Sequence, residues 1–223
     1  KLPDFPLPIS SVTGEFHLAN NIMVFKNASG FIACGDQSVF TEMNGVYDMN
    51  RNRRIFHFHA PKVSITESFL KNLPHAVLGE KIWTHLQPAG KVGISGTYQG
   101  FLEQKDFSYT IEVELKGCEI LAGIYKIPLW GMEGRLEFNK GGLLGKHISA
   151  RCCGGQVEGN LVFETDTNPN QYEGEMNFSR IALEELAHKI GNKENALSGL
   201  LYGNVKFQGS GIDPKNFSAE GKV

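Results

Sequence analysis

A weak internal repeat, with a period of roughly 115–120 residues, constrains this 223-residue chain more than any other feature. One copy opens at Gly14-Glu15-Phe16-His17-Leu18, the next at Gly134-Arg135-Leu136-Glu137-Phe138. Each runs into a Cys/Gly-rich patch, Ala33-Cys34-Gly35 and Arg151-Cys152-Cys153-Gly154-Gly155. Ala60-Pro61-Lys62-Val63-Ser64-Ile65 and Phe178-Ser179-Arg180-Ile181-Ala182-Leu183 then lead into segments with helical spacing. Both copies close on a glycine-framed strand, Gly90-Lys91-Val92-Gly93-Ile94-Ser95-Gly96 and Gly203-Asn204-Val205-Lys206-Phe207-Gln208-Gly209. Matched positions lie 120 (Gly14, Gly134), 118 (Val63, Ile181) and 113 (Val92, Val205) apart, a drift that loop insertions produce. A duplicated β unit points to a modular scaffold rather than a single-site enzyme; a chance likeness between two β-rich halves is the alternative. The expectation is two β units, residues 1–125 and 126–223, whose segments around 9–100 and 130–213 superimpose.

Period-two alternation predicts the strands. Phe107-Ser108-Tyr109-Thr110-Ile111-Glu112-Val113-Glu114-Leu115 places a large apolar residue at every second position, as a strand with one apolar and one wet face requires. Gln156–Glu164, Tyr172–Phe178 and Ile55–Ala60 repeat it less purely. In the last, Phe56 and Phe58 share one side while His57 and His59 share the other. Asn20-Asn21 and Asn168-Pro169-Asn170 supply turn chemistry. Helical spacing replaces alternation twice. Phe69, Leu70, Leu73, Val77, Ile82 and Leu86 predict two short helices near 66–86, interrupted around Pro74 and Gly79. Leu183, Leu186, Ala187 and Ile190 predict an amphipathic helix near 180–190, ended by Gly191. The fold class is therefore mainly antiparallel β with two short helical insertions, either a repeated open groove or sandwich-like sheets.

Composition narrows the function classes. With 41% hydrophobic residues and 15 Phe the chain can bury a core. A net charge of −2 and no basic stripe with interleaved aromatics argue against nucleic acid as a partner. No stretch approaches the ~20 apolar residues that span a bilayer. The four cysteines, Cys34, Cys118, Cys152 and Cys153, include no C-x-x-C pair, so a metal site has no support. On a regular strand Cys152 and Cys153 point to opposite faces, which disfavours a bond between them. Buried thiols, or a disulfide from Cys34 or Cys118 to one of that pair, both remain open.

Catalytic motifs are missing. There is no G-x-S-x-G, H-E-x-x-H or P-loop, and Gly141-Gly142-Leu143-Leu144-Gly145-Lys146 lacks phosphate-loop spacing. His57 and His59 read as a solvated strand face, and His75 and His85 have no partner that sequence reveals. Glu184-Glu185 suits a helix N-terminus. A hydrolytic scaffold would draw its acids from Glu103, Asp106, Glu112 or Glu114. The expectation is a non-enzymatic protein with no catalytic residue, metal or cofactor.

The second half carries a family resemblance. Cys153-Gly154-Gly155-Gln156-Val157-Glu158-Gly159 leads into paired strands and then a helix of the form x-Ile-x-Leu-x-x-Leu, Ile181 to Leu186. Leu197-Ser198-Gly199-Leu200-Leu201-Tyr202-Gly203-Asn204-Val205-Lys206-Phe207-Gln208-Gly209-Ser210-Gly211 follows, and Phe217–Val223 ends the stretch. This resembles the C-terminal region of the AsmA-like family, with its TamB and YhdP relatives, most clearly over residues 130–223. The resemblance implies an open β-groove with an apolar concave face, in a longer protein anchored in the inner membrane and extending into the periplasm. It implies transport of phospholipid or another acyl lipid towards the outer membrane, with other envelope proteins as further partners. The acyl track is then expected along Phe56, Phe58, Phe107, Tyr109, Ile111, Val113, Leu115, Met176 and Phe178. A structural or protein-binding β module of the envelope is the alternative.

Overall fold

The computed structural model describes residues 9–34, 36–71, 83–84, 86–101, 107–123, 125–191, 198–211 and 216–222. Twelve strands form one sheet in sequence order. They are β1 (Ile9–Ala19), β2 (Ile22–Cys34), β3 (Gln37–Asp48), β4 (Arg53–Ser64), β5 (Lys91–Phe101) and β6 (Phe107–Ala122), then β7 (Ile127–Asn139), β8 (Gly142–Cys152), β9 (Gly155–Glu164), β10 (Gln171–Ala182), β11 (Leu200–Ser210) and β12 (Phe217–Lys222). Every neighbouring pair is antiparallel. The sheet is open: among the described residues β1 and β12 each pair with one strand only.

Helix α1 (Glu67–Lys71) follows β4, and α2 (Leu183–Lys189) follows β10. The predicted helical stretch near 66–86 is thus described at 67–71, with further helical residues at 83, 84 and 86. Pro74, His75, Val77, Gly79, Ile82 and His85 lie outside the described residues. Helix α2 ends where the sequence places its stop: Ile190 N–H donates to the Leu186 carbonyl, and Gly191 is left-handed at φ 84°. Among the described residues no helix is long and apolar enough to cross a membrane.

The two halves share one element order, four strands, a helix, then two strands. They also share irregularities. The second strand of each half carries a β-bulge, between Phe25 and Ala28 in β2 and between Gly145 and Ile148 in β8. In both, a left-handed residue at φ 49° donates its N–H to an asparagine side chain on the next strand. Asn27 donates to Asn44 Oδ1 at 2.8 Å, and His147 to Asn160 Oδ1 at 2.9 Å. The fourth strand of each half is bulged too, at Ala60/Val63 and at Phe178/Ile181. Such bulges re-aim side chains and increase local twist.

Both helices leave the same end of the sheet, because β4 and β10 run in the same direction in an antiparallel meander. There they build the core. Phe69 and Leu70 of α1 are buried against Ile32, Val39, Ala60, Val63, Val92 and Leu115. Leu186 of α2 packs on the buried group Cys152, Cys153 and Ile181.

Candidate functional site

Directly paired residues in a sheet share a face, so the register defines the surface. Phe56 pairs with Tyr98 and Phe58 with Gly96. Gly100, Tyr98, Gly96, Ile94 and Val92 pair in turn with Phe107, Tyr109, Ile111, Val113 and Leu115. From β6 the face continues through Leu136 and Phe138, Gly145 and Leu143, then Leu161 and Phe163. It reaches Gly174 and Tyr172, with Met176 and Phe178 beside them, and ends at Val205, Phe207 and Phe217. All nine residues expected on an acyl track therefore lie on one face of one sheet.

Sequence reasoning passed over much of this face. Phe16, Phe25, Leu136, Leu161, Phe163, Val205 and Phe207 belong to it as well. Their signal is broken because glycine takes many apolar-face positions. Gly45 shows what those glycines do. It lies on β3 between its partners Phe25 and Phe56, whose rings stack over it with centroids 5.6 Å apart. A Cβ at Gly45 would lie 2.6 Å from Phe56 Cδ1. Phe58 covers Gly96 and Phe207 covers Gly174 in the same way. Rings that fold down over glycines make an aromatic floor, which runs Phe16, Phe25, Phe56, Tyr98, Phe107, Tyr109 with successive centroids 5.6–6.4 Å apart.

Exposure along this floor is graded. At the helix end Val63, Val92 and Leu115 are buried. Away from it Phe107 is 38% exposed, and near the sheet edges Phe16 is 54% and Phe217 50% exposed. Phe56 is buried, whereas Phe58, Tyr109, Ile111, Val113, Met176 and Phe178 are half-buried. Partial burial raises the Tyr109 phenol above its ordinary pKa. Two cations flank the aromatic floor: the Arg54 guanidinium lies 5.4 Å from the Tyr98 ring centroid and Lys140 Nζ 4.6 Å from that of Phe107.

The opposite face is largely polar. It carries ion pairs such as Lys116–Glu114 at 2.8 Å, Lys146–Glu137 at 3.4 Å and Arg135–Glu112 at 3.8 Å. Of the four acids available to a hydrolytic site, Glu112 and Glu114 are here, and Glu103 and Asp106 lie outside the described residues. Glu114 has its pKa lowered, first by the hydrogen bond from Lys116 and then by that ammonium's charge. A general acid needs the reverse shift. His57 and His59 are exposed on this face, with His57 Nδ1 3.0 Å from Thr97 Oγ1. Among the described residues no three His, Cys, Asp or Glu groups are placed to hold a metal. A concavity of about 510 Å³ lies over β9–β12 on this face, with Asn160, Glu173, Glu175, Lys206 and Glu220 among its lining. Most of its lining belongs to the polar face, with Gly174 and Phe207 of the apolar rows also bordering it.

Cys118, Cys152 and Cys153 are free, buried thiols. The expected divergence of Cys152 and Cys153 is corrected by the structure. Cys153 leaves the strand at φ 44° in the β8–β9 turn, and the two sulfurs lie 3.6 Å apart. The chain matches no family model, no curated protein and no solved structure.

Proposed function

We propose that this chain is a non-enzymatic, lipid-binding segment of the AsmA-like kind, which holds acyl chains on the apolar face of its sheet. The observation that carries the reading is the continuity of that face through twelve strands of an open sheet. A single exposed leucine needs no explanation, whereas a contiguous apolar surface does. Acyl chains cover it at a gain of about 0.8 kcal/mol per buried CH₂, and no specific polar contact is required. The stretch Phe107–Leu115 spans roughly 27 Å at the strand rise of about 3.4 Å per residue. That exceeds the ~15 Å depth of one bilayer leaflet's tails. The helices cover one end of the floor, so headgroups are assigned to the helix-free rim, where the exposed Lys140 lies over the Phe107 ring.

In this reading the segment belongs to a longer inner-membrane-anchored periplasmic protein and conducts phospholipid passively. The alternative, a protein-binding β module, is favoured by β12, an edge strand exposed along its length. A photo-crosslinking pair separates the two. Benzoylphenylalanine replaces Phe107 on the apolar face or Thr110 on the polar face, and each protein is irradiated with phosphatidylcholine vesicles. Lipid adducts at 107 and none at 110 are expected. Equal labelling at both positions, or none at 107, refutes the acyl track.

A further inference from the structure

The β8–β9 turn uses an unusual residue for its geometry. Strand β8 ends at Cys152 and β9 begins at Gly155, leaving Cys153 and Gly154 as the turn, both left-handed at φ 44° and 72°. A two-residue turn of this hand favours Asn-Gly, because left-handed backbone strains most side chains. The β1–β2 turn obeys, with Asn20 and Asn21 at φ 51° and 60°. Here a cysteine takes the strained place, and the turn brings its sulfur to 3.6 Å from its neighbour's. Backbone strain retained at a residue points to a role for its side chain.

The same turn holds α2. The Cys153 carbonyl accepts the N–H of Ala182 at 2.9 Å, and Ala182 is the N-cap of the helix. That cap has no side-chain hydrogen bond, so the helix start is held by backbone contacts on two sides, this one and the Leu183 N–H to the Gly199 carbonyl at 3.0 Å. Leu186 of α2 rests on the two cysteines.

We infer that Cys152 and Cys153 form a vicinal dithiol that a disulfide-bearing oxidant closes into an intramolecular disulfide, and that closure releases the start of α2. One thiol, as its thiolate, attacks the incoming disulfide and expels one reduced thiol. The neighbouring thiolate attacks the mixed disulfide and expels the second. The pair loses two protons and two electrons, and the oxidant leaves as two thiols. Bond formation brings the sulfurs from 3.6 Å to about 2.05 Å, which turns the Cys153 peptide and withdraws its carbonyl from Ala182. With Cys152 5% and Cys153 6% exposed, the oxidant reaches them when the short helix opens locally. In the reduced protein with α2 seated, the Cys152 thiol is pushed up to about 12 by burial and by its neighbour, which keeps it unreactive. This device is independent of the lipid reading.

The full chain tests it. Wild type, Cys152→Ser and Cys153→Ser are equilibrated in oxidised and reduced glutathione, acid-quenched, alkylated and digested with trypsin. Cleavage after Arg151 and Arg180 places both cysteines in one peptide without Cys34 or Cys118. In wild type that peptide is expected to lack alkyl groups and two hydrogens, reversibly with dithiothreitol. Amides 182–190 are expected to exchange faster in the oxidised protein. Each serine variant should keep one alkylatable or glutathionylated thiol. A wild-type peptide that stays doubly alkylated, carries only glutathione, or is linked to Cys34 or Cys118 overturns the dithiol. Unchanged exchange at 182–190 on oxidation overturns the link to α2.

Discussion

Replacing Gly45 by alanine probes how the aromatic floor is built. The new methyl would lie 2.6 Å from Phe56 Cδ1, 2.7 Å from the Ile55 carbonyl oxygen and 3.1 Å from Phe25 Cδ2. Overpacking of a filled site costs about 1–3 kcal/mol. Displacing Phe56 also weakens its stacks on Phe25 and Tyr98, worth about 0.5–1.5 kcal/mol for such a pair. Against this, alanine reduces the entropy of the unfolded chain, a gain of about 0.4–1 kcal/mol. The balance is a loss of about 2 kcal/mol, read as a lower urea midpoint at unchanged slope. Phe56→Leu in the same background removes the ring that the methyl meets. The two changes should therefore couple by about 1 kcal/mol in a double-mutant cycle. Rescue is partial, because the Ile55 carbonyl stays. A Gly45→Ala protein within about 0.5 kcal/mol of wild type, or a strictly additive cycle, refutes the proposal that glycine seats these rings.

Three further outcomes are expected. Val113→Asp puts a carboxylate against the buried cluster that Val113 packs on and should cost about 1–3 kcal/mol. Its folded pKa rises above the unfolded one, so the deficit grows as pH climbs through the carboxylate range and shrinks in acid, as thermal melts across pH will register. Gly134→Ala, at φ 137° with its Cβ 2.8 Å from both the His147 oxygen and Ile148 Cα, should lower the unfolding midpoint more than Gly117→Ala. Gly117 is left-handed but opens onto empty space, so its alanine meets conformational strain alone, about 1–2 kcal/mol. Lys116→Met removes the donor that depresses Glu114. The Glu114 carboxyl should then titrate at higher pH by NMR, with the thermal midpoint unchanged because the pair is exposed.

Strand β6 was legible because nothing interrupts its alternation from Phe107 to Leu115. The helix starts were legible too, since apolar spacing changes after Ile65 and after Ala182. The face across the sheet was not. On β2, Met23 and Phe25 point one way by simple alternation, and Ala28 and Ile32 should then point the other. The bulge at Lys26 and Asn27 inserts one residue, reverses the phase and returns Ala28 and Ile32 to the apolar side. Its cause is a left-handed residue satisfied by an asparagine on another strand, a tertiary contact that local pattern does not contain. Cys152 and Cys153 failed for a related reason. Strand alternation separates their side chains only while the strand lasts, and β8 ends between them. Openness depends on whether β1 meets β12, and periodicity within a strand carries no information on that.

The bulges explain how each half of the sheet keeps a single apolar face. A strand of 11–13 residues such as β2 or β8 accumulates twist along its length. An added residue without a fixed place would turn half its side chains to the wrong side. Asn44 and Asn160 fix the place by accepting the N–H that each bulge frees from the ladder. Gly14 and Gly134 complete the device on the preceding strand. A Cβ at Gly14 would lie 2.6 Å from Ala28 Cα, and one at Gly134 2.8 Å from Ile148 Cα. In each half a glycine thus lets the bulged backbone approach, and an asparagine holds it from the other side. The combination of glycine, left-handed residue and asparagine is a closer likeness between the two halves than the faint sequence match. Chance likeness between two β-rich segments does not require the same register correction, with the same chemistry, at the same strand of each.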